Sequence, residues 1–211
     1  MNLGNPINSV IPGARGEVLA VLARTERPLS GRRVAALTGG RVSQTGANLA
    51  LRSLVASGLV LVEAHPPANL YRLNRLHLAA SCIETIATLP EQVVDAIRAH
   101  LEVWPIPAWG AWLFGSAARG DGNEASDIDV VIVRPDEVDD GDPDWLDHVD
   151  RLAADVTAWT GNKCEVVEYG IQEFEGMFDR SDRLASELRA DGVALTSRRL
   201  PRGTPIERTR R

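Results

Sequence analysis

The stretch Phe114-Gly115-Ser116-Ala117-Ala118-Arg119-Gly120, followed by Ser126-Asp127-Ile128-Asp129-Val130-Val131-Ile132-Val133, decides how this chain is read. The apolar run at 108–114 predicts a buried strand that ends at Gly115, and 126–133 predict a second strand. Ten residues separate Ser116 from Asp127. A strand that runs into Gly-Ser and then a helix offers backbone N–H groups and a hydroxyl where phosphates are readily held. Gly115 lets the backbone approach a ligand closely. Asp127 and Asp129, two apart on a strand, send both carboxylates from one face, roughly 7 Å apart along the chain. Such a pair repels itself unless a cation sits between, and Mg²⁺ (or Mn²⁺) is the oxygen-seeking ion expected there.

These residues, with their spacing, resemble the signature of the DNA polymerase β-type nucleotidyltransferase superfamily. The likeness is greatest to small bacterial members that write Gly-Ser-x-Ala-Arg-Gly and then Ser-Asp-Ile-Asp, and it covers about residues 100–196. The resemblance implies a small mixed sheet flanked by helices. It implies that Gly115, Ser116, Arg119 and Ser126 hold an NTP and that Asp127 and Asp129 bind the metal. It also implies a third acid on a later strand, as metal ligand or as acceptor of a proton. Residues 163–168 are that expected strand, and register favours Glu165, where relatives more often carry Asp; Glu168 points to the other face. The third catalytic and metal-binding residue is therefore expected to be Glu165.

The first 78 residues carry a different signal. Residues 13–24 and 30–37 predict two short helices, the second capped by Ser30. A third helix is expected over 43–57, closed by Gly58. Its apolar stripe is Ala47, Ala50, Leu51 and Leu54, and the opposite face shows Gln44, Asn48 and Arg52. Strands at 59–62 and 70–73, joined by a turn at 66–69, predict a hairpin. Three helices and a hairpin resemble a winged helix-turn-helix. That resemblance implies that Gln44, Asn48 and Arg52 read bases of duplex DNA in the major groove. Arg32, Arg33 and Arg41 would then meet phosphates, with His65 near the wing tip. Some winged helices bind only other proteins, and that alternative stays open.

Charge supports the division. Residues 1–78 carry a net +6, residues 79–196 carry −17, and residues 197–211 carry +5, within a total of −6. A basic first segment suits a polyanion, whereas the acidic body repels nucleic acid over a Debye length of about 8 Å. This disfavours a polymerase or tRNA-modifying role. Two cysteines without a CxxC pair exclude a disulfide framework and a cysteine zinc site. No early run has the form of a signal peptide and none of about 18 apolar residues spans a bilayer, so a cytoplasmic location is expected, with no membrane partner.

The fold class expected is α+β. A winged helix-turn-helix is expected over 1–78, connecting helices over 79–103, the transferase domain over 104–196 and a disordered basic tail over 197–211. The function expected is Mg-dependent transfer of NMP, AMP from ATP being the favoured pair, to a hydroxyl of a protein or small molecule. A fused DNA reader favours autoregulation in an antitoxin-like system, with a cognate toxin as acceptor and a homodimer on paired half-sites. The alternative is a non-catalytic regulator whose transferase-like domain senses a nucleotide. Trp109, Trp112, Phe114 and Trp159 are expected to be structural, and His77, His100 and His148 are assigned no role.

Overall fold

Residues 1–180 and 182–201 are described by the structure, a computed structural model. The chain divides into two units, Asn2–Pro90 and Glu91–Arg211, the latter joined by Met1.

The N-terminal unit holds α1 (Pro6–Val10), α2 (Ala14–Ala23), β1 (Leu29–Ser30), α3 (Gly31–Leu37), α4 (Gln44–Ala56), β2 (Val60–His65), β3 (Ala68–Leu73) and α5 (Leu78–Ala87). The cap expected at Ser30 is made, and Ser43 caps α4 in the same way. The Ser30 hydroxyl accepts from Arg33 N and the Ser43 hydroxyl from Gly46 N, each satisfying an orphan donor of the first turn. Val18, Leu19 and Leu22 of α2, Val34 of α3 and Ala47, Leu51 and Leu54 of α4 close a single core. Ile7 of α1 and Ala80 and Ile83 of α5 enter that core as well. α5, expected among the connecting helices over 79–103, thus belongs to the first unit, which runs on to Pro90. The hairpin is longer than expected, with Ala64 facing Asn69 and His65 facing Ala68. β1, unforeseen at two residues, adds to β3 to make the sheet order β1-β3-β2.

The second unit holds α6 (Leu89–Glu102), β4 (Gly110–Phe114), α7 (Gly115–Arg119), β5 (Ile128–Arg134), α8 (Pro143–Thr160), β6 (Cys164–Gly170), α9 (Ile171–Asp179), α10 (Arg183–Asp191) and β7 (Val193–Ala194). Its mixed sheet has the order β6-β5-β4-β7, with β5 and β6 parallel and the other pairs antiparallel. Ile128 and residues 130–133 of β5 are fully buried, as a central strand covered on both faces requires. On one face Trp112, Val131 and Val133 pack with Phe174, Met177 and Phe178 of α9 and Ala185 and Leu188 of α10. The Trp112 and Phe174 rings stack with centroids 4.9 Å apart.

α8 buries Trp145, Val149, Leu152 and Val156, one helical stripe, and each such burial contributes about 1.5–3 kcal/mol. Asp142 caps it by accepting from Asp144 N and Trp145 N at 3.0 Å, and Gly161 ends it at φ +73°. Trp112 is buried as expected, but Trp159 is 45% exposed, its ring edge-on to His100. Residues 197–201, expected to begin the disordered tail, instead contact the unit. The Arg198 guanidinium lies 4.0 Å from the Trp109 ring centre, and Leu200 packs beside the core. The rest of that tail, 202–211, lies outside the described residues. Among the described residues no helix is long and apolar enough to cross a membrane.

Candidate active site and nucleic-acid interface

β4 delivers Phe114 to the turn, and Gly115 opens α7 at φ +68°, a left-handed conformation that side chains rarely adopt. A Cβ at Gly115 would lie 2.2 Å from Asp129 Oδ2. The glycine is therefore required twice, by its backbone and by the carboxylate packed against it. Ser116 follows, close against Gly122, where a Cβ would stand 3.2 Å from the hydroxyl. Arg119 closes α7, and its Nε donates to Asp121 at 3.2 Å.

The two aspartates are placed differently from a plain i, i+2 strand pair. Asp129 sits inside β5, whereas Asp127 precedes it at the end of a tight turn. That turn is built by Asn162, 2% exposed, whose amide donates to Asn123 O at 3.0 Å and Ser126 O at 2.8 Å. The Ser126 hydroxyl, expected at the nucleotide, accepts from Asn123 N at 2.9 Å and so braces the same turn. Ile128 N donates to Lys163 O, fixing where β5 meets β6.

β6 brings Glu165 into register with Asp129. Paired residues of parallel strands point to one face, so Asp129 and Glu165 share it. Glu168 pairs with Ile132 on the opposite face, where it accepts from Arg134 Nε at 2.7 Å. Burial raises the pKa of the Asp129 carboxyl above the usual carboxylate range, and the charges of Asp127, Glu165 and Glu187 raise it further, with Arg119 opposing them. Glu187, on α10, is a fourth acid near the site and accepts from Arg183 at 2.8 Å.

Glu165 has a partner not anticipated from the sequence. Lys163, the only lysine of the chain, donates its ammonium to Glu165 Oε1. That bond and the negative charges of Glu165 and Asp127 raise the lysine's pKa. Among the described residues no group of three His, Cys, Asp or Glu side chains is placed to hold a metal ion. The donor set nevertheless fits a hard divalent cation. It consists of carboxylates alone, and the uncompensated repulsion on Asp129 is what such a cation would relieve. Asp127 and Asp129 would hold it, and Glu165 would join by leaving Lys163.

Residues 101–177 match the family model described as a nucleotidyltransferase domain. The match spans β4 through β6 and so contains Gly115, Ser116, Asp127, Asp129 and Glu165. It supports the nucleotidyltransferase superfamily and transfer of a nucleotidyl group in general, and that family works with NTPs and divalent metals. No curated protein matches the chain.

In the N-terminal unit, Gln44, Asn48 and Arg52 of α4 share a cleft of about 620 Å³ with Arg32, Asn69 and Tyr71. Asn48 Oδ1 lies against Gly31, where a Cβ would stand 2.3 Å away, so α3 and α4 approach closely. Four of the six expected DNA contacts are thereby gathered between α4 and the hairpin. The other two are elsewhere. Arg33 and Arg41 line a separate cavity, and Arg41 Nε donates to the buried Glu17 at 2.9 Å.

Sequence reasoning also missed Asn162, Lys163 and Glu187 as members or supports of the site. Asn162 had a local signal, a polar residue directly after a helix-ending glycine, and so had Lys163, two residues before Glu165. Two of the three histidines given no role have structural ones. His77 Nδ1 accepts from Ala79 N at the start of α5, and His100 bridges Trp104 Nε1 and Asp155.

Proposed function

We propose that the second unit is a Mg²⁺-dependent nucleotidyltransferase that moves NMP, AMP from ATP being the favoured pair, to a hydroxyl of a protein or small molecule. The observation that carries this is Asp129, pressed against Gly115 at the Gly-Ser turn, paired in register with Glu165 and within the charge field of Asp127. The metal, held by Asp127 and Asp129, would neutralise the triphosphate and acidify the attacking hydroxyl. Ser116 and the free N–H groups of the Gly115–Ser116 turn bind phosphate oxygens, with Arg119 released from Asp121 to assist. The acceptor oxygen bonds to the α-phosphorus as the bond to the departing pyrophosphate breaks. Glu165 takes the hydroxyl proton.

The N-terminal unit is proposed to be a winged helix-turn-helix reading duplex DNA, through Gln44, Asn48 and Arg52 on bases and Arg32 on phosphate. The cleft those residues share supports it. An antitoxin-like, self-regulating cytoplasmic protein, binding its operator as a homodimer and modifying a cognate toxin, accounts for both halves. A second reading is a nucleotide-sensing regulator without turnover, and the Lys163–Glu165 pair is the observation that favours it.

Purified protein incubated with Mg²⁺, source lysate and each α-labelled NTP tests this. Labelling of an acceptor that vanishes in the Asp127→Ala/Asp129→Ala protein is the expected result. Labelling that survives that double substitution overturns the site. Nucleotide binding without any labelled product selects the second reading.

A further inference from the structure

β6 lies at an edge of the second unit's sheet, and its backbone can be accounted for group by group. Ile128 N donates to Lys163 O, and the parallel register runs unbroken from Ile128 opposite Cys164 to Arg134 opposite Gly170. Successive residues of a strand turn their N–H and C=O to opposite sides. Residues 163, 165, 167 and 169 therefore bond to β5, and residues 164, 166, 168 and 170 face outward. Side chains close both ends of that outward row. Cys164 N donates to Thr157 Oγ1 and Gly170 N to Glu173 Oε2, each at 3.1 Å. Between them, Val166 N and Glu168 N have no hydrogen-bond partner among the described residues. The edge is not blunted either. No proline or bulge interrupts 164–170, whereas β7, at the opposite edge, is two residues long. Val167, at the middle of the row, is 37% exposed.

We propose that β6 pairs antiparallel with β6 of a second copy of this chain, about a two-fold axis at Val167, joining two sheets into one. With that axis Val166 faces Glu168 of the other copy, and their N–H and C=O groups bond to one another. Both open donors are matched, and neither capped end is disturbed. Val167 faces Val167, which closes the exposed apolar side chain off from water. Glu165 faces Tyr169, so no carboxylate meets another. An axis at Glu165 or Glu168 would set like charges opposite each other, and one at Val166 would set Val167 against Glu165. A two-fold contact requires a patch that complements itself, and this row does so in charge, in apolar surface and in backbone donors. That is why a second copy is the occupant. Tyr169 of the second copy then stands across from Glu165, so the partner reaches the edge of the candidate active site.

The interface gives a face to the homodimer proposed above, and its test holds neither DNA nor nucleotide, so its failure leaves the DNA-reading and transferase proposals standing. The full chain is followed by analytical ultracentrifugation, and the parent is expected as a dimer at about 50 µM chain. Val167→Lys, verified as folded by its melt, sets two ammonium groups face to face and should weaken association at least about tenfold. Val166→Pro deletes an N–H that faces outward from the sheet and should weaken it likewise. In a Cys82→Ser background, Val167→Cys should cross-link to its copy under mild oxidation, because directly facing residues lie within disulfide reach, and Tyr169→Cys should not. A monomeric parent, or a dimer that either folded variant leaves intact, overturns the proposal. Failure of Val167→Cys to cross-link, or cross-linking through Tyr169→Cys, refutes the register.

Discussion

Replacing Gly115 by alanine puts one methyl group where the candidate site has no room, and two costs can be worked out separately. The first is backbone strain, since φ is +68° and an L residue there costs about 1–2 kcal/mol. The second is a collision, because the new Cβ would stand 2.2 Å from Asp129 Oδ2 and 3.2 Å from its Cγ, whereas ordinary contact begins at 3.4 Å. The oxygen must retreat by the difference, about 1.2 Å, and a carboxylate can do so by rotating off its rotamer for roughly 0.5–1.5 kcal/mol. Stability should therefore fall by about 1.5–3.5 kcal/mol, while nucleotidyl transfer should fall by about 10²-fold or more, since a 1 Å misplacement at a reacting site costs that much. Urea melts and labelled-NTP assays on the parent, Gly115→Ala, Asp129→Ala and the double variant separate the two costs. In the Asp129→Ala background only the strain remains, giving a coupling of about 0.5–1.5 kcal/mol. Equal stability costs in both backgrounds, or undiminished transfer by folded Gly115→Ala, would refute the packing of Gly115 on Asp129 as the basis of the site.

Asn162→Ala removes both hydrogen bonds that its side-chain amide donates to the 123–126 turn and should cost about 2–3 kcal/mol. It should lower transfer more than about tenfold by freeing Asp127, and a thermal melt beside the labelling assay checks both. Burial pushes the Cys164 thiol up to about 12, with the charges of Asp129 and Glu165 adding to it, while Cys82 is exposed. Iodoacetamide at pH 8 should therefore label one cysteine of the folded protein and the second only in urea, by mass spectrometry. Because the folded thiol lies above its ordinary value of 9.0, its contribution to stability is full below pH 9 and is lost between 9 and about 12. Melts across that window should show a fall that Cys164→Ala lacks. Arg52→Ala should weaken operator binding and relax preference at one base, whereas Arg32→Ala should weaken all sequences alike and reduce the salt slope by about one. A gel shift showing no DNA binding at any salt removes the reader role altogether.

What could be read along the chain was whatever neighbouring residues settle among themselves. The stripe of α4, the cap at Ser30 and the stop at Gly58 are contests between adjacent backbone groups and side chains, so their outcome is written locally. The strand, Gly-Ser turn and second strand around Asp129 were legible for the same reason. β1 was not, because two residues carry no period and only β3 makes them a strand. The site depended most on contacts remote in sequence. Strand register put Glu165 beside Asp129, Asn162 tied off the turn before Asp127, and α10 carried Glu187 toward the acids. Arg32 and Arg33, adjacent in the chain, went to different cavities because successive residues of a helix face about 100° apart, and only the packing around α3 decides what each direction meets. Sequence thus determined which groups were on offer, and tertiary packing decided which of them share a charge environment, because Coulomb and hydrogen-bond partners are chosen by distance in space.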